Sequence, residues 1–517
     1  MRFFLIIVFI SLIGISRFHT AMGQQKNPVR VELNANLEME NYHLVPCEEN
    51  GLLVFFESPD QGTDPDTRIW HFAFYDKNMK QAWIADTALP EGAKFKAYDH
   101  DGEHTYLNFL NTDRVRSSSN THILKVNYKI NTFELLHLSI PDKSQAAHFE
   151  IIKGQAILAI NNTAFEPGIV FINLSDGATR NIKFELEGLN IIQEVQYDEA
   201  GNSFHIVLDN YLGKKQNALL IIEISPQGNI TKTLRINPVV DQKVLNEARI
   251  AYSGNDTMLV IGTYHHEISR LQSSKEEEGA ESAGYFIAKF VQDKQVLMNY
   301  YNFLEFEEMY RSLSSKTIAD IRRKAEKQKN RGQEYSLDYT LKLHDIVDNN
   351  GNYVLLSEAY YPEYRTVTNM YYDYYGRPIP QTYTVFDGYK YISGIAASFS
   401  PDGNLLWDNG IEIRNVLTFN ITNYVGSFSS NDELALFYSN ENKIHYKIVG
   451  DAYSGGASQS IRLERKYKGD KLMEDMGSKM IHWYDNYFIC YGYQKIKNNR
   501  ISGGKRTIFY FNKLAFK

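Results

Sequence analysis

A strand-turn-strand unit recurs eight times along this chain of 517 residues. Each copy carries a short apolar run just after a turn, at 51–56, 104–109, 155–160, 203–208, 257–262, 352–357, 433–438 and 486–491. Successive starts lie 53, 51, 48, 54, 95, 81 and 53 residues apart. Each run is followed by a second hairpin, at 68–89, 121–140, 168–186, 218–236, 285–303, 394–413, 443–463 and 506–517. Two hairpins per period make four strands, and a strand-built period near fifty is the signature of a β-propeller blade. The fold class is therefore all-β: a β-propeller of eight four-stranded blades, with seven blades plus a separate sheet as the alternative.

The last copy is short. After 507–511 and a turn near Asn512-Lys513 the chain ends. The stretch 29–37 precedes the first full unit and has no partner of its own. Sharing the eighth blade between the two termini would join the ring and hide both sheet edges. Turn residues punctuate the hairpins, as in Asp76-Lys77-Asn78, Ser175-Asp176-Gly177, Ser225-Pro226-Gln227-Gly228-Asn229 and Ser400-Pro401-Asp402-Gly403-Asn404. Gly, Asn and Asp supply the positive φ that tight hairpins demand.

Two intervals are too long for one blade. Without the 13 residues of 270–282 and the 31 of 303–333, the 95-residue interval returns to 51. Without the 34 residues of 358–391, the 81-residue interval returns to 47. Insertions are thus expected at 270–333 and 358–391. The first contains helical spacing in Phe306, Met309 or Tyr310, and Leu313, then in Ile318, Ile321 and Ala325. Thr317-Ile318-Ala319-Asp320 reads as a capping box with a shortened acid. Arg322, Arg323, Lys324, Lys327, Lys329 and Arg331 give that helix a charged face, which reads as solvated surface.

The second insertion holds ten of the 36 tyrosines. Two strand-like arms flank a hairpin tip at Tyr374-Tyr375-Gly376-Arg377-Pro378. Tyrosine joins a large apolar face to a polar tip and has little rotamer freedom to lose, which suits recognition. The candidate binding residues are Tyr360, Tyr361, Tyr364, Tyr371, Tyr372, Tyr374, Tyr375, Arg377 and Tyr383. The competing reading is a strand extension whose tyrosines cover a neighbouring blade.

Residues 1–23 have the layout of a secretory signal peptide: Arg2, an apolar run over 3–15, then Ala21-Met22-Gly23 at the cut. The run is shorter than the ~20 apolar residues that span a bilayer. No cysteine follows the cut to take a lipid. Residues 24–517 then form a single propeller domain with no further candidate span. Loss of Arg2 and Arg17 takes 55 basic residues to 53 against an unchanged 62 acids, a net of −9. That balance disfavours nucleic acid and anionic membranes as partners. Cys47 and Cys490 lie in the first and last units, which a closed ring makes neighbours. Two separate buried thiols are the favoured reading over a bridge.

Strong catalytic motifs are absent. Tyr98-Asp99-His100-Asp101-Gly102-Glu103-His104 gathers imidazoles and carboxylates, but at neither zinc nor calcium spacing, and it sits where a hairpin turn is expected. His265-His266-Glu267 lacks the second histidine of a metalloprotease helix. Ser502-Gly503-Gly504-Lys505-Arg506-Thr507 lacks the first glycine of a phosphate loop. No cofactor fingerprint or nucleophile elbow occurs, so no metal, cofactor or catalytic residue is assigned. Five Asn-x-Ser/Thr sequons, at Asn161, Asn173, Asn229, Asn255 and Asn420, read as turn chemistry.

The Ser-Pro-x-Gly-Asn turns at 225–229 and 400–404 resemble those of TolB-like and WD40-like bacterial propellers. Together with the leader and the Tyr/Asn/Lys-rich composition, they make the chain similar to uncharacterised exported β-propeller proteins of the Bacteroidetes. The resemblance is one of repeat architecture, and the single Trp-Asp dipeptide, Trp407-Asp408, follows its turn instead of closing a strand. It implies export to the periplasm or cell surface. The function expected is a non-catalytic scaffold of the cell envelope that binds a protein or a glycan. The alternative is a hydrolase or lyase acting on polysaccharide or peptidoglycan at the channel mouth.

Overall fold

The computed structural model describes residues 29–515, apart from 38–39, 63, 114–117, 141–143, 163–166, 185, 200, 214–215, 241, 254–255, 267–280, 307–314, 331–336, 338, 431–432, 451–455 and 501–503. The leader therefore lies outside the described residues, as do Asn255, Met309, Tyr310, Leu313 and Arg331. Eight antiparallel sheets follow one another. Blade 1 runs from His43–Cys47 to Gln81–Pro90, blade 2 from Lys94–His100 to Thr132–Ile140, and blade 3 from Ser144–Ile152 to Thr179–Lys183. Blade 4 spans Leu189–Asp198 to Ile230–Ile236, and blade 5 Lys243–Ser253 to Lys294–Asn302. Blade 6 starts at Tyr339–Leu343 and ends at Leu405–Thr418, while blade 7 covers Gly426–Ser430 to Gln459–Arg462.

Blade 8 is built from both ends of the described chain. Its strands Lys471–Tyr484, Tyr487–Lys497 and Lys505–Ala515 are completed on the outside by Arg30–Asn34. The register places Arg30 opposite Asn512 and Asn34 opposite Ile508. The turn expected at Asn512-Lys513 is absent: that segment is straight strand, because Arg30 pairs with Asn512 and the Lys513 N–H donates to the Val29 carbonyl at 3.0 Å, occupying the edge where a hairpin partner would lie.

The core sits between blades. Leu44, Val54 and Tyr75 of blade 1 pack on Trp483, Phe509 and Phe511 of blade 8. Equivalent apolar layers join blades 1–2, 2–3, 3–4, 4–5, 5–6, 6–7 and 7–8, so the packing closes a ring. Every apolar run marks the second strand of its blade. That strand is covered on both faces, which is why Ser203–Gly213 is buried over its first eight residues while the outer strand Ile230–Ile236 is almost wholly exposed. The Ser-Pro-x-Gly-Asn turns close as drawn from sequence, with Gly228 and Gly403 at φ +82° and +79° and Gly228 N–H donating to the Ser225 carbonyl at 2.7 Å.

Strand alternation sorts the connections onto two faces. In an antiparallel blade the second-to-third hairpin and the crossing to the next blade share a face. The strands that end at His266, Asn302 and Tyr372 therefore all end on the same face. The crossing opens with a short 3-10 turn, Phe303–Glu305, and Phe306 is fully buried between blades 5 and 6. The helix is Ser315–Lys329, so Thr317 lies inside it and is not its cap. Asp320 instead pairs with Arg323 at 3.0 Å. Arg322, Arg323, Lys324 and Lys327 are exposed, while Ile321 and Ala325 are half-buried.

Candidate functional site

The hairpin at 358–391 is a two-stranded ribbon. Its strands are 21 and 22 residues long, against the 5–14 residues of nearly every other blade strand. Inner pairing to Tyr339–Leu343 stops at Tyr360, and outer pairing to Leu405–Thr418 begins at Tyr389. Beyond those points the two arms pair only with each other among the described residues, from Glu363 opposite Gly388 to Tyr372 opposite Pro378. Asp373 makes the tip turn: its carboxylate accepts from the Tyr375 and Arg377 N–H groups at 2.9 and 2.8 Å.

The predicted tyrosines divide into two groups. Tyr371, Tyr372, Tyr374 and Tyr375 crowd the outer end at 52%, 72%, 97% and 80% exposure. The Arg377 guanidinium lies 5.8 Å from the Tyr375 ring. Lower down, Tyr361, Tyr364 and Tyr383 are also exposed. Tyr364 packs edge-on to Phe386 at 5.6 Å, and Asn369 donates to the Tyr383 hydroxyl at 3.0 Å. Tyr360 belongs to neither arm's surface. It is buried at the ribbon's root, 5.7 Å from Tyr389 and 5.8 Å from Tyr391, because the blade is already four strands wide there.

Tyr360 does line a cleft of about 320 Å³ at the foot of the ribbon. Gln193, Asn246, Glu247, Arg249 and Lys342 supply most of its polar wall. These come from the first, innermost strands of blades 4, 5 and 6, which face the central channel. Those strands carry bulges. Register shifts at Phe95/Ala97, Ala146/His148, Ile192/Glu194 and Leu245/Ala248 recur in blades 2 to 5, and blade 6 breaks between Leu343 and Val347. A bulge bends the strand and re-aims its side chains. Here they turn toward the next blade. Gln193 donates to the Asn246 carbonyl at 2.7 Å and accepts from Ala248 N–H at 3.1 Å. Arg249 bonds the Ala248 carbonyl at 2.9 Å and reaches toward the Leu343 carbonyl of blade 6 at 3.5 Å.

Glu194 is the most perturbed carboxylate on this wall. It accepts from Ile250 N–H at 3.0 Å. Burial in the channel lifts its pKa from 4.5 to about 7; Arg249 and the Ile250 N–H act against that rise, Asp345 of blade 6 adds to it, and His148 of blade 3 opposes it. A carboxyl half-protonated near neutrality is able to give or take a proton. Further round the channel, burial and the neighbouring Lys479 lower His43 to about 4. None of these residues belongs to a sequence motif: Gln193 and Glu194 come from blade 4, Asn246, Glu247 and Arg249 from blade 5, Lys342 from blade 6 and His43 from blade 1.

The remaining candidates resolve into structure. Asp101 holds the turn of blade 2, accepting from Glu103 and His104 N–H at 3.0 and 2.7 Å and from the Tyr106 hydroxyl at 2.7 Å. Cys47 and Cys490 are separate free thiols, each buried, beside Thr105 and Ser439. Burial pushes both up to about 12, which leaves them inert at neutral pH. Glu358 spans blades 6 and 7, accepting from Tyr424 and Val425 N–H at 2.7 and 2.8 Å. On the opposite face a cleft of about 450 Å³ lies between blades 4 and 5. Its Lys232 bridges Glu223 and Asp293 at 3.5 and 3.2 Å.

The sequence matches no protein-family profile and no curated protein. Among solved structures, it is similar to the β-propeller domain of the trilobed protease from Pyrococcus furiosus, at 11% identity and a TM-score of 0.35, over 83% of this chain and 96% of that one. It is also similar to a prolyl endopeptidase (10% identity, TM-score 0.32, 68% of this chain) and to the Pyrococcus horikoshii acylaminoacyl peptidase (7%, 0.30, 78%). The aligned region spans 45% and 58% of those two peptidase chains. Similarity this distant transfers no residue's role to the present chain.

Proposed function

We propose that this chain is an exported, non-catalytic binding propeller of the bacterial cell envelope. Its recognition surface is the tyrosine ribbon together with the cleft at its foot. One observation carries the reading: a ribbon with solvent on both faces holds its aromatic side chains out from the ring, where they stabilise no blade. Tyr371, Tyr372, Tyr374 and Tyr375 contribute little to folding at 52–97% exposure, and an isolated two-stranded ribbon is marginal by itself. The ligand class is an envelope protein or glycan, for which exposed aromatic faces and amide-rich walls are suitable partners. No helix among the described residues is long and apolar enough to cross a membrane.

The test is affinity purification of the tagged, exported protein from crosslinked envelopes. The comparison is a variant in which 366–384 is replaced by a short Gly-containing turn, leaving the ribbon's root in place. A component retained by the whole protein and lost from the trimmed one supports the proposal. Identical recovery from both removes the ribbon from recognition.

A second reading rests on Glu194. A carboxyl poised near pH 7 beside Arg249, Asp345 and His148 is the arrangement a hydrolase or lyase would need at the channel mouth. It requires the purified protein to release product from an envelope polysaccharide, and Glu194→Gln to abolish that release.

A further inference from the structure

Resting on the reading of the ribbon as a recognition surface, we propose that one partner of the ribbon is a second copy of this chain. The two ribbons pair edge to edge across a two-fold axis, through residues 365–373, to make a four-stranded sheet.

The two edges of the ribbon are not alike. Pro378 and Pro380 on the returning arm lack N–H donors, which blunts that edge against a further strand. On the outgoing arm no proline lies between Glu363 and Tyr372, and no strand pairs with that edge beyond Tyr360 among the described residues. The arms from Thr366 to Tyr372 and from Pro378 to Phe386 carry no charged residue at all, in a chain of net charge −7. Natural proteins protect such edges with charge or proline, or cover them. Here one edge is protected and the other is left open.

The open edge is complementary to itself. Antiparallel pairing centred on Asn369 sets Thr368 opposite Met370 of the second copy, Val367 opposite Tyr371, and Thr366 opposite Tyr372. Pairing a β-branched residue with an aromatic one is among the favourable cross-strand combinations. The same register sets Arg365 opposite Asp373 of the second copy, and Asp373 opposite Arg365, so opposite charges meet at both ends. Arg365 is exposed and its Nε already reaches Asp387 at 3.1 Å on its own ribbon, so the cross-copy pair would use the other N–H groups of the guanidinium. A two-fold axis makes every one of these contacts twice, as an isologous interface requires. The product is a four-stranded sheet, wide enough to be stable where a lone ribbon is not.

The register is testable with single cysteines in the full chain, since Cys47 and Cys490 are buried. Asn369→Cys places the two thiols directly opposite one another, within disulfide reach. Thr366→Cys separates them by six residues of strand, roughly 20 Å. The proposal predicts that the wild-type protein sediments at twice the chain mass, and that Asn369→Cys forms a covalent dimer at least tenfold faster than Thr366→Cys under mild oxidation. A wild-type protein that sediments as a monomer at all concentrations overturns it, as does equal crosslinking of the two variants. A monomer that still retains an envelope component through 366–384 overturns self-pairing alone and leaves the recognition surface standing.

Discussion

Glu194 shows how a propeller builds chemistry without a motif. Its pKa of about 7 comes first from burial in the channel wall, and the counter-charge of Arg249 offsets only part of that. Raising an acid's folded pKa above its unfolded value means the folded state holds the proton more tightly. Stability therefore falls as pH rises from about 4.5 to about 7, and is flat above. Glu194→Gln keeps an oxygen for the Ile250 N–H and removes the charge. We expect this variant to lose most of the decline between pH 5 and pH 8, about 1–3 kcal/mol after allowance for channel water. Thermal melts of both proteins at those two pH values check this. A wild-type protein with no decline would place Glu194 in open water. No sequence pattern pointed to this residue: Gln193-Glu194 lies in a bulge of an irregular, half-polar strand, and its partners Arg249 and Asp345 come from other blades. Tyr360 is buried at the ribbon's root and lines the cleft instead of the exposed arms, because a tyrosine at the root of an insertion reads the same as one at its tip until the width of the sheet is known.

At the scale of the element, the closing strand is held by a compact charged network. Arg30 pairs with Glu32 at 2.8 Å with both side chains about 5% exposed. It donates to Gln494 at 2.8 Å and lies 4.3 Å from the Tyr510 ring. Arg506 joins Glu32 to the fully buried Asp470, at 3.2 and 2.7 Å. Removing one member of such a network strands the others in low dielectric, which costs about 3–5 kcal/mol. Glu32→Ala should lower stability by that amount, and hydrogen exchange should show blade 8 opening before the other blades. Uniform loss of protection around the ring would contradict a closure made at this strand. The blades themselves were legible because their second strands are buried on both faces and so read as unbroken apolar runs. The shared eighth blade was legible as a short last unit and an unpaired first strand. The straight course of Lys505–Ala515 was not, since Asn512-Lys513 has turn-forming residues and only the pairing with Arg30–Asn34 overrides them.

Across the whole molecule, the apolar layers between successive blades leave two faces and a channel free for function. Strand alternation gathers the ribbon, the blade 5 to blade 6 crossing and the 320 Å³ cleft onto one of those faces. Pairing to the neighbouring strands fixes the ribbon's root and the cleft at its foot, so only the ribbon's outer arms are left to be ordered on binding. The insertions were visible as departures from the fifty-residue period, and their common face follows from counting antiparallel strands. Which side chains line the cleft depends on the bulges of three different blades, and that no linear pattern reports. In the proposed function the ribbon tip is the place of contact. Hydroxyl-radical footprinting of the purified protein, with and without solubilised envelope, measures this directly at Tyr371, Tyr372, Tyr374 and Tyr375. We predict that all four lose at least half of their labelling when envelope is present, while Tyr98 in blade 2, also partly exposed, is unchanged. Equal labelling of the four tyrosines in both conditions would contradict the assignment of this face to recognition.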